Sequence, residues 1–532
     1  MRQKSGDGSA PESSRWLRGG LSFELIAGEA VRTWLRAIEN RQAWRRLYDA
    51  CPWSTVFQSP GFFDIWLRHY GEWSPLIILA RREGEDLAGL MPLAVRGREI
   101  TGAGAHQADY HGWICAPDEA EAFADGALFG FAQELAGHAL RLRYLPRGLS
   151  EGLVRRLAKR NSRITLHRVA CDVFTLDERM IWRPLNKRGN KSKVRRLQRF
   201  GKFSLQTLSA SAFAATLDRI AAMYDFRQGA INGVCPFLDD PSKAAFHRDW
   251  IRTEPRQVYA SALYLGDHLV AALIFAASKA EVHLAISAHA PEFAANSPSK
   301  IHMYETGLAL LHSGCRTIDL TPGGDPWKAR FPSERTAAWE LKLHATTQSA
   351  ALSRLRARAR SLATSTLAGT VQGWLRRAAR DAWTSCRALI PLREKLLRLD
   401  LAVASHTENG ANVAPNDLGL LARWGPAMSR KPRQAFLQVA LARIEAGGQC
   451  HTIERDGVLR CLGWALKQRD RFMLRDFAFA SDIDRATLHV LLRQMTLAVK
   501  RAGGQSELFL SAPAIQRTLI DAALDVGFSN AK

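Results

Sequence analysis

The chain has 532 residues, of which 47% are hydrophobic and 23% charged, proportions typical of globular protein with room for three or four domains. It carries 74 Lys and Arg against 51 Asp and Glu, a net charge of +23, which excludes an acidic solvating protein and fits an anionic partner. Because most basic residues are Arg, a GC-rich genome would produce the same bias. The eight Cys are scattered without metal-ligand spacing, so we expect reduced thiols and no metal site.

We recognise neither a targeting segment nor a membrane-spanning segment in the sequence. Residues 1–14 are polar and Gly/Ser-rich, without the apolar stretch of a signal peptide. The best spanning candidate, 258–277, is interrupted at Gly266-Asp267-His268, which predicts a turn between two strands. We therefore expect a cytoplasmic protein, either soluble or peripheral at the inner membrane.

The first third of the chain predicts a disordered lead, residues 1–21, and then a mixed unit, residues 22–180. Apolar residues at helical and then alternating spacing predict two helices, a hairpin, a third helix and a strand in this unit. We expect these elements at 29–50, 61–70, 76–93, about 119–137 and about 139–145.

The second unit, residues 181–345, predicts three helices followed by three consecutive strands, a helix and two more strands. A Gly-Pro loop follows the first of these two later strands. The helices are expected near 184–200, 210–227, 241–252 and 299–313, and the strands at 258–265, 269–277, 281–287, 317–320 and 339–343.

The last part of the chain predicts a basic helical arm and linker, residues 346–431, and a third unit, residues 432–532. The arm could pack between domains, or it could lie on a membrane surface as a helix anchored by Trp374 and Trp383. The third unit repeats the element order of the second, so we expect one fold used more than once. The fold class predicted for the units is α+β, with helices packed on mixed, mostly antiparallel sheets.

Residues 281–331 concentrate the side chains that could carry chemistry. Ser297 and Pro298 suit the start of a helix, where free N–H groups bind anions, and Lys300 adds a positive charge. The next strand runs into a loop with two Gly. Each feature alone is typical of a cap or a turn, but their order and spacing favour a functional site. The charged residues of this strand and loop are Asp319, Asp325, Lys328 and Arg330.

The same stretches carry a resemblance to a known family. The sequence resembles the GNAT-like acyltransferases of the CelD/BcsL cellulose-biosynthesis type, which are related to the FemAB peptidyltransferases. The resemblance covers about 50–345. In the second unit it rests on Ser297-Pro298-Ser299, Gly314, Ile318-Asp319-Leu320 and Gly324-Asp325-Pro326-Trp327-Lys328. Before that it rests on Phe57-Gln58-Ser59-Pro60, Trp66, Tyr70-Gly71, Met91-Pro92-Leu93, Asp109-Tyr110 and the basic stretch Lys187 to Arg199.

Two positions depart from the family pattern. Ser299 stands where the family has Gly at the helix entry, and Trp327 stands where it has Tyr. The third unit lacks the family's glycine-containing phosphate loop, which suggests a degenerate copy or a structural domain. The resemblance thus implies tandem GNAT-like domains, a helical arm and a third GNAT-like domain.

The activity that the resemblance implies is acyl transfer from acetyl-CoA or another acyl-CoA. The acceptor would be an amine or hydroxyl of a small molecule, sugar or glycan, in polysaccharide or cell-envelope glycoconjugate biosynthesis. Ser297, Ser299 and Lys300 would bind the cofactor's pyrophosphate. The implied catalytic candidates are Asp109, Asp319 and Asp325 as base, Tyr304 as acid, and Lys328, whose loss should abolish turnover together with that of Asp325.

The segment 183–202 holds nine Lys and Arg and no acid. It fits a CoA 3′-phosphate, a tRNA backbone, a sugar nucleotide or an anionic lipid, and the sequence leaves these open. Two other functions therefore stand beside acyl-CoA-dependent transfer. One is FemAB-like aminoacyl transfer from tRNA, and the other is a non-catalytic GNAT-fold subunit of a membrane-associated biosynthetic complex. We expect no DNA partner.

Overall fold

The structure is a computed structural model. It describes residues 13–83, 86–323, 325–331, 333–367, 394–400, 415–426, 428, 431–468, 471–502, 507–513 and 516–531. Two sheets organise these residues: a 14-stranded sheet built by the first two units and a six-stranded sheet in the third. Helices cover both sheets, and the fold is the predicted mixed α+β arrangement.

The first unit begins earlier than predicted. Residues 13–18, placed by sequence in the disordered lead, form a strand because Trp16 stacks on Phe23 across a hairpin and donates a hydrogen bond to the Gly126 carbonyl (3.1 Å). The strands are β1 (Ser13–Arg18), β2 (Leu21–Ala27), β3 (Ser74–Arg81), β4 (Leu87–Arg96), β5 (Glu99–Gly102), β6 (Ile114–Cys115), β7 (Ala139–Leu145) and β8 (Ile164–Thr175). The helices are α1 (Glu29–Arg36), α2 (Ile38–Ala50), α3 (Pro60–His69), α4 (Ala120–Glu134) and α5 (Glu151–Arg160).

The second unit follows the predicted order closely. The turn predicted at Gly266 joins two strands, and Gly266 has the positive φ (60°) that such a turn requires. The strands are β9 (Phe203–Thr207), β10 (Val258–Leu265), β11 (His268–Ser278), β12 (Glu281–His289), β13 (Thr317–Pro322) and β14 (Ser333–Leu343). The helices are α6 (Glu178–Asn186), α7 (Arg188–Gln198), α8 (Ala210–Asn232), α9 (Ser242–Thr253), α10 (Pro298–His312) and, in the arm, α11 (Thr347–Leu367).

The first two units exchange their last strands. Strand β8 leaves the first unit and pairs with β13 of the second, while β14 leaves the second unit and pairs with β7 of the first. The two exchanged strands also pair with each other, over eleven residues. The order β7-β14-β8-β13 therefore joins both units into one continuous sheet.

The third unit includes a strand that the sequence placed in the helical arm. Residues 394–400 form β15 because Leu397 and Leu399, two residues apart, are both buried against β19. The other strands are β16 (Gln449–Arg455), β17 (Val458–Gln468), β18 (Arg471–Phe479), β19 (Glu507–Pro513) and β20 (Ser529–Asn530). The helices are α12 (Leu418–Ala422), α13 (Arg433–Glu445), α14 (Arg485–Arg501) and α15 (Arg517–Asp525).

The third unit packs on α8 of the second through α12 and α13. Leu437 is fully buried against Gly229 of α8, and Arg433 forms two hydrogen bonds with Asp239 (2.8 and 2.9 Å). Trp374 and Trp383, the predicted membrane anchors, lie outside the described residues. Across the described part of the chain, no helix combines the length and apolar character needed to cross a bilayer.

Each unit contains one parallel strand pair with the same extent. Strands β5 and β7, β12 and β13, and β18 and β19 each pair over three residues. In all three units a helix follows the first strand of the pair and leads to the second. The same wedge between diverging parallel strands thus occurs three times.

Candidate active site at the wedge of the second unit

The wedge between β12 and β13 opens directly beside the start of α10. The last parallel pair is His283 with Asp319; beyond it β12 continues along β11, whereas β13 continues along β8 with a shifted register. A bulge at Ala285 coincides with this divergence, since Leu284 and Ile286 pair with consecutive residues of β11. The bulge re-aims the end of β12 and leaves a gap between the strands.

Helix α10 begins at Pro298, as predicted, but its cap differs from the prediction. Ser297 occupies the cap position in a left-handed conformation (φ 52°, ψ 51°), and its side chain makes no capping hydrogen bond. Instead, the Lys193 ammonium donates to Ser297 Oγ (2.7 Å). Ser299 Oγ lies 2.7 Å from His289 Nδ1, which ties the helix start to the end of β12.

Positive charges converge on this helix terminus. The pKa of Lys300 is lowered by burial and by the neighbouring Lys193, Lys187 and Arg330. On the other side, burial and the charge of Arg227 lower the pKa of His289 to about 3, so its imidazole is neutral. Four cations thus surround a helix N-terminus, and among the described residues no acid pairs with the three lysines, an arrangement whose chemistry suits a phosphate group.

Asp109 reaches the same region from the first unit. It lies in the loop between β5 and β6, which Gln58 holds by donating a hydrogen bond to the Tyr110 carbonyl (2.9 Å). Burial raises the pKa of Asp109 to about 6, with Asp319 adding to the shift and His283, Arg143 and Lys243 opposing it. A carboxyl with that pKa is suited to general base catalysis near neutral pH.

Asp319 is buried where β12 and β13 begin to separate, and both of its carboxylate oxygens accept hydrogen bonds. It accepts hydrogen bonds from Tyr110 Oη (2.6 Å), Arg147 Nε (2.9 Å) and the Thr321 N–H (2.7 Å). Burial alone would raise its pKa, but His283, Arg147 and Tyr110 together hold it well below the usual range. An ionised carboxylate with these partners orients the surrounding groups and is a poor base.

Asp325 and Lys328 close the loop that follows β13. The buried Lys328 ammonium donates to the Thr321 carbonyl (2.8 Å) and lies 3.2 Å from the Asp325 carboxylate. Thr321 has a positive φ (64°), so this tie holds a strained turn in place. The charges of Asp325 and Asp109 both raise the pKa of Tyr224, so both carboxylates lie within electrostatic range of that hydroxyl. The structure therefore brings Asp109, Asp319 and Asp325 to one region.

Tyr304 lies on α10, and the centre of its ring is 6.0 Å from the Lys300 ammonium. Its hydroxyl donates to the Arg330 carbonyl (3.1 Å), and its ring packs edge-on against Phe174 and beside Phe331. Burial raises the pKa of its hydroxyl. This geometry gives Tyr304 a packing role, and its assignment as an acid stays a prediction.

His283 is the site residue that the sequence did not reveal. It is 1% exposed, and neither ring nitrogen has a hydrogen-bond partner among the described residues; Nδ1 lies 3.5 Å from Asp319 and Nε2 3.9 Å from Glu281. It lines a pocket of about 380 Å³ between the first two units. These three side chains offer metal ligands, but Arg147 already bonds both carboxylates.

Part of the second unit is similar to a known protein family. Residues 186–329, about a quarter of the chain, match the model of the family described as acetyltransferase (GNAT) domain. The matched segment begins in α6 and ends just after Lys328, so it contains the whole wedge and the start of α10. A comparison with curated proteins finds no match.

Several solved structures are similar to the chain. FemX is 12% identical, with 56% of this chain and 95% of FemX covered and a TM-score of 0.41. L-PGS from Bacillus licheniformis is 11% identical, with 58% and 92% covered and a TM-score of 0.37. A tandem GNAT protein from the clavulanic acid biosynthesis pathway is 14% identical, with 60% and 99% covered and a TM-score of 0.35. The part of the chain that is similar to the acetyltransferase (GNAT) domain family lies within the second unit.

Proposed function

We propose that this protein is an acyl-CoA-dependent N- or O-acyltransferase whose acyl-CoA binds at the wedge of the second unit. The observation that carries the proposal is the start of α10, where a helix N-terminus and the cations Lys187, Lys193, Lys300 and Arg330 converge. A pyrophosphate supplies the negative charge that this arrangement stabilises. The acyl group would then reach the gap beyond the His283–Asp319 pair.

Asp109 is the residue we assign as base. Burial raises its pKa toward neutrality, whereas Asp319 is held ionised by His283, Arg147 and Tyr110. It would take the proton of the acceptor's amine or hydroxyl as that atom bonds to the acyl carbon. The carbon–sulfur bond then breaks, and the CoA sulfur gains a proton.

We place the acceptor in polysaccharide or cell-envelope glycoconjugate biosynthesis, on the basis of the family resemblance. The pocket between the units has room for a group of sugar size, at about 380 Å³. Its lining offers hydroxyl, carboxylate and imidazole groups, which suit a polyhydroxylated acceptor.

Calorimetric titration of the full chain with acetyl-CoA and with longer acyl-CoAs tests the proposal. Each lysine contact to a phosphate contributes about 1.5–3 kcal/mol, so Lys193→Ala combined with Lys300→Ala should weaken binding at least a hundredfold. The matched control is Lys467→Ala with Lys500→Ala, two exposed lysines of the third unit.

Two results would contradict the proposal. One is the absence of heat with every acyl-CoA, and the other is equal weakening by both double variants. Salt-sensitive binding of aminoacyl-tRNA with no acyl-CoA binding would support the FemAB-like alternative. Silence with both ligands would leave the chain as a non-catalytic GNAT-fold subunit.

A further inference from the structure

Helices α6 and α7 present an outward surface that shares only Lys187 with the proposed acyl-CoA site. Helix α7 has two faces: Lys193 points inward to Ser297, whereas its other basic residues recur at helical spacing on the outer side. Asn190 and Leu197 are buried on the opposite side of the helix. The outward basic residues are Arg188, Lys191, Arg195, Arg196 and, just after the helix, Arg199.

The neighbouring segments add to this basic surface. We call it the α6–α7 surface, comprising the five residues above together with Arg179, Arg183, Lys187 and Lys202, all exposed. Within the part of the chain that the structure describes, none of these nine cations forms an ion pair, unlike Arg82, Arg156 and Arg433 elsewhere. The acids next to this surface in the sequence have other partners: Asp177 caps α6 by accepting the Met180 N–H, and Glu178 accepts from Trp182 Nε1. Nine exposed charges without a partner in the chain are available to bind an anionic surface.

Exposed apolar side chains lie at the two ends of the basic stretch. Trp182 is 47% exposed and lies between Arg179 and Arg183 on the outer side of α6, and Met180 precedes it. At the far end, Phe200 is 65% exposed and packs only its edge against Phe293. Large apolar groups beside unpaired cations are the combination that binds a bilayer interface.

We propose that the α6–α7 surface docks this protein on an anionic membrane, with Trp182 and Phe200 entering the headgroup region. Anionic lipid complements the nine cations, each contributing about 1 kcal/mol near such a surface. Nucleic acid is less suited, because bases stack on aromatic rings interleaved along a basic groove, and α7 itself carries no aromatic ring. This inference does not rest on the proposed acyl transfer, although docking here would hold the start of α10 close to the bilayer.

Co-sedimentation of the full chain with vesicles tests the proposal. The vesicles contain phosphatidylcholine alone or with about one third phosphatidylglycerol. We expect binding to the anionic vesicles only, falling as salt rises. Arg195→Glu combined with Arg196→Glu should reduce it at least tenfold, in line with the energy per charge. The matched control, Arg356→Glu with Arg358→Glu, reverses two exposed charges on α11 and should leave most of the binding intact.

A second variant tests the apolar anchors. Trp182→Ala with Phe200→Ala keeps every charge, and we expect it to reduce vesicle binding severalfold with the salt dependence unchanged. Three results would overturn the proposal: no binding to anionic vesicles, loss of binding by the α11 variant but not by the α7 variant, or salt-sensitive binding of bulk tRNA by this surface in place of vesicles. Acetyl-CoA titration of the same variants keeps this outcome separate from that of the proposed function.

Discussion

The wedge of the second unit and that of the third share their strand geometry and differ in what surrounds the helix that follows. At α10 the cap side chain of Ser297 is turned away to Lys193, and cations surround the terminus. At α14 the Asp484 carboxylate itself accepts the Thr487 N–H (2.8 Å), and Asp482 lies close by, paired with Arg460. In the third unit the Asp484 carboxylate therefore occupies the start of α14, whereas the start of α10 carries no such acid and could accept an external anion.

The apex of each wedge shows the same contrast. The last parallel pair is His283 with Asp319 in the second unit, but Leu474 with Leu510 in the third. Both leucines are fully buried, so that wedge is closed by packing. One strand arrangement therefore serves a polar site in one unit and a hydrophobic core in the other, and the side chains at two positions distinguish them.

We expect the largest effect on activity and stability when Asp319 is replaced by leucine, the residue found at the corresponding position, 510, of the third unit. Asp319→Leu removes the carboxylate that the Tyr110 hydroxyl and Arg147 share and leaves Arg147 with Glu281 alone, and removing one member of a buried charge pair costs about 3–5 kcal/mol. We expect loss of acyl transfer and a much lower urea midpoint. Tyr110→Phe, which removes one hydrogen bond, should cost about 1 kcal/mol. A stable, active Asp319→Leu would show that the polar apex has no role.

We expect smaller effects from changing Asp109, which should lower the reaction rate but raise the stability at high pH. Because burial raises its pKa to about 6, the wild-type rate should rise with pH through that value and then level off. Asp109→Asn should lower the rate about a hundredfold or more and remove this dependence.

The stability of the same variant should move in the opposite direction. A carboxyl whose pKa is raised on folding favours the folded state at low pH and loses that contribution as pH rises through about 6. Asp109→Asn should therefore be more stable than the wild type at pH 8, by about 1–3 kcal/mol, with the difference vanishing near pH 4. Equal unfolding midpoints at both pH values would contradict the burial of this charge.

The smallest expected effect is at the third unit's helix. Asp484→Ala removes the cap of α14 and should lower the thermal unfolding midpoint of that unit slightly. Acetyl-CoA affinity should not change. A gain of acetyl-CoA binding in this variant would mean that the carboxylate alone had kept the third wedge from binding the cofactor.

Local patterns were sufficient for most elements of the second unit. Strands β10 to β12 and helix α10 lie within a few residues of their predicted positions, because alternation and the Ser-Pro start are local signals. Strand β8 had no such signal: His167 and Arg168 interrupt its apolar pattern, and its partners are distant in sequence. Strand β15 resembles a basic helix until its pairing with β19 is known.

The site was only partly predictable for the same reason. Ser297, Lys300 and Asp319 stand in a recognisable order along the chain. His283 does not, since a single histidine in an apolar strand carries no pattern. Its position became meaningful only when the register placed it opposite Asp319 and beside Tyr110 of the first unit. Gln58 is similar: its contact with the Tyr110 carbonyl explains the Phe-Gln-Ser-Pro motif but spans 52 residues.

The exchange of β8 and β14 has a consequence for synthesis on the ribosome. Both neighbours of β8 are translated after it, and the nearer, β13, begins about 140 residues later. At about 5–20 residues per second, β8 waits roughly ten seconds or more with both edges free. The exposed polar and charged side chains of His167 and Arg168 on β8 then oppose premature pairing with other nascent chains. Chaperone dependence during expression is the expected price of a sheet that closes only when its last strand is made.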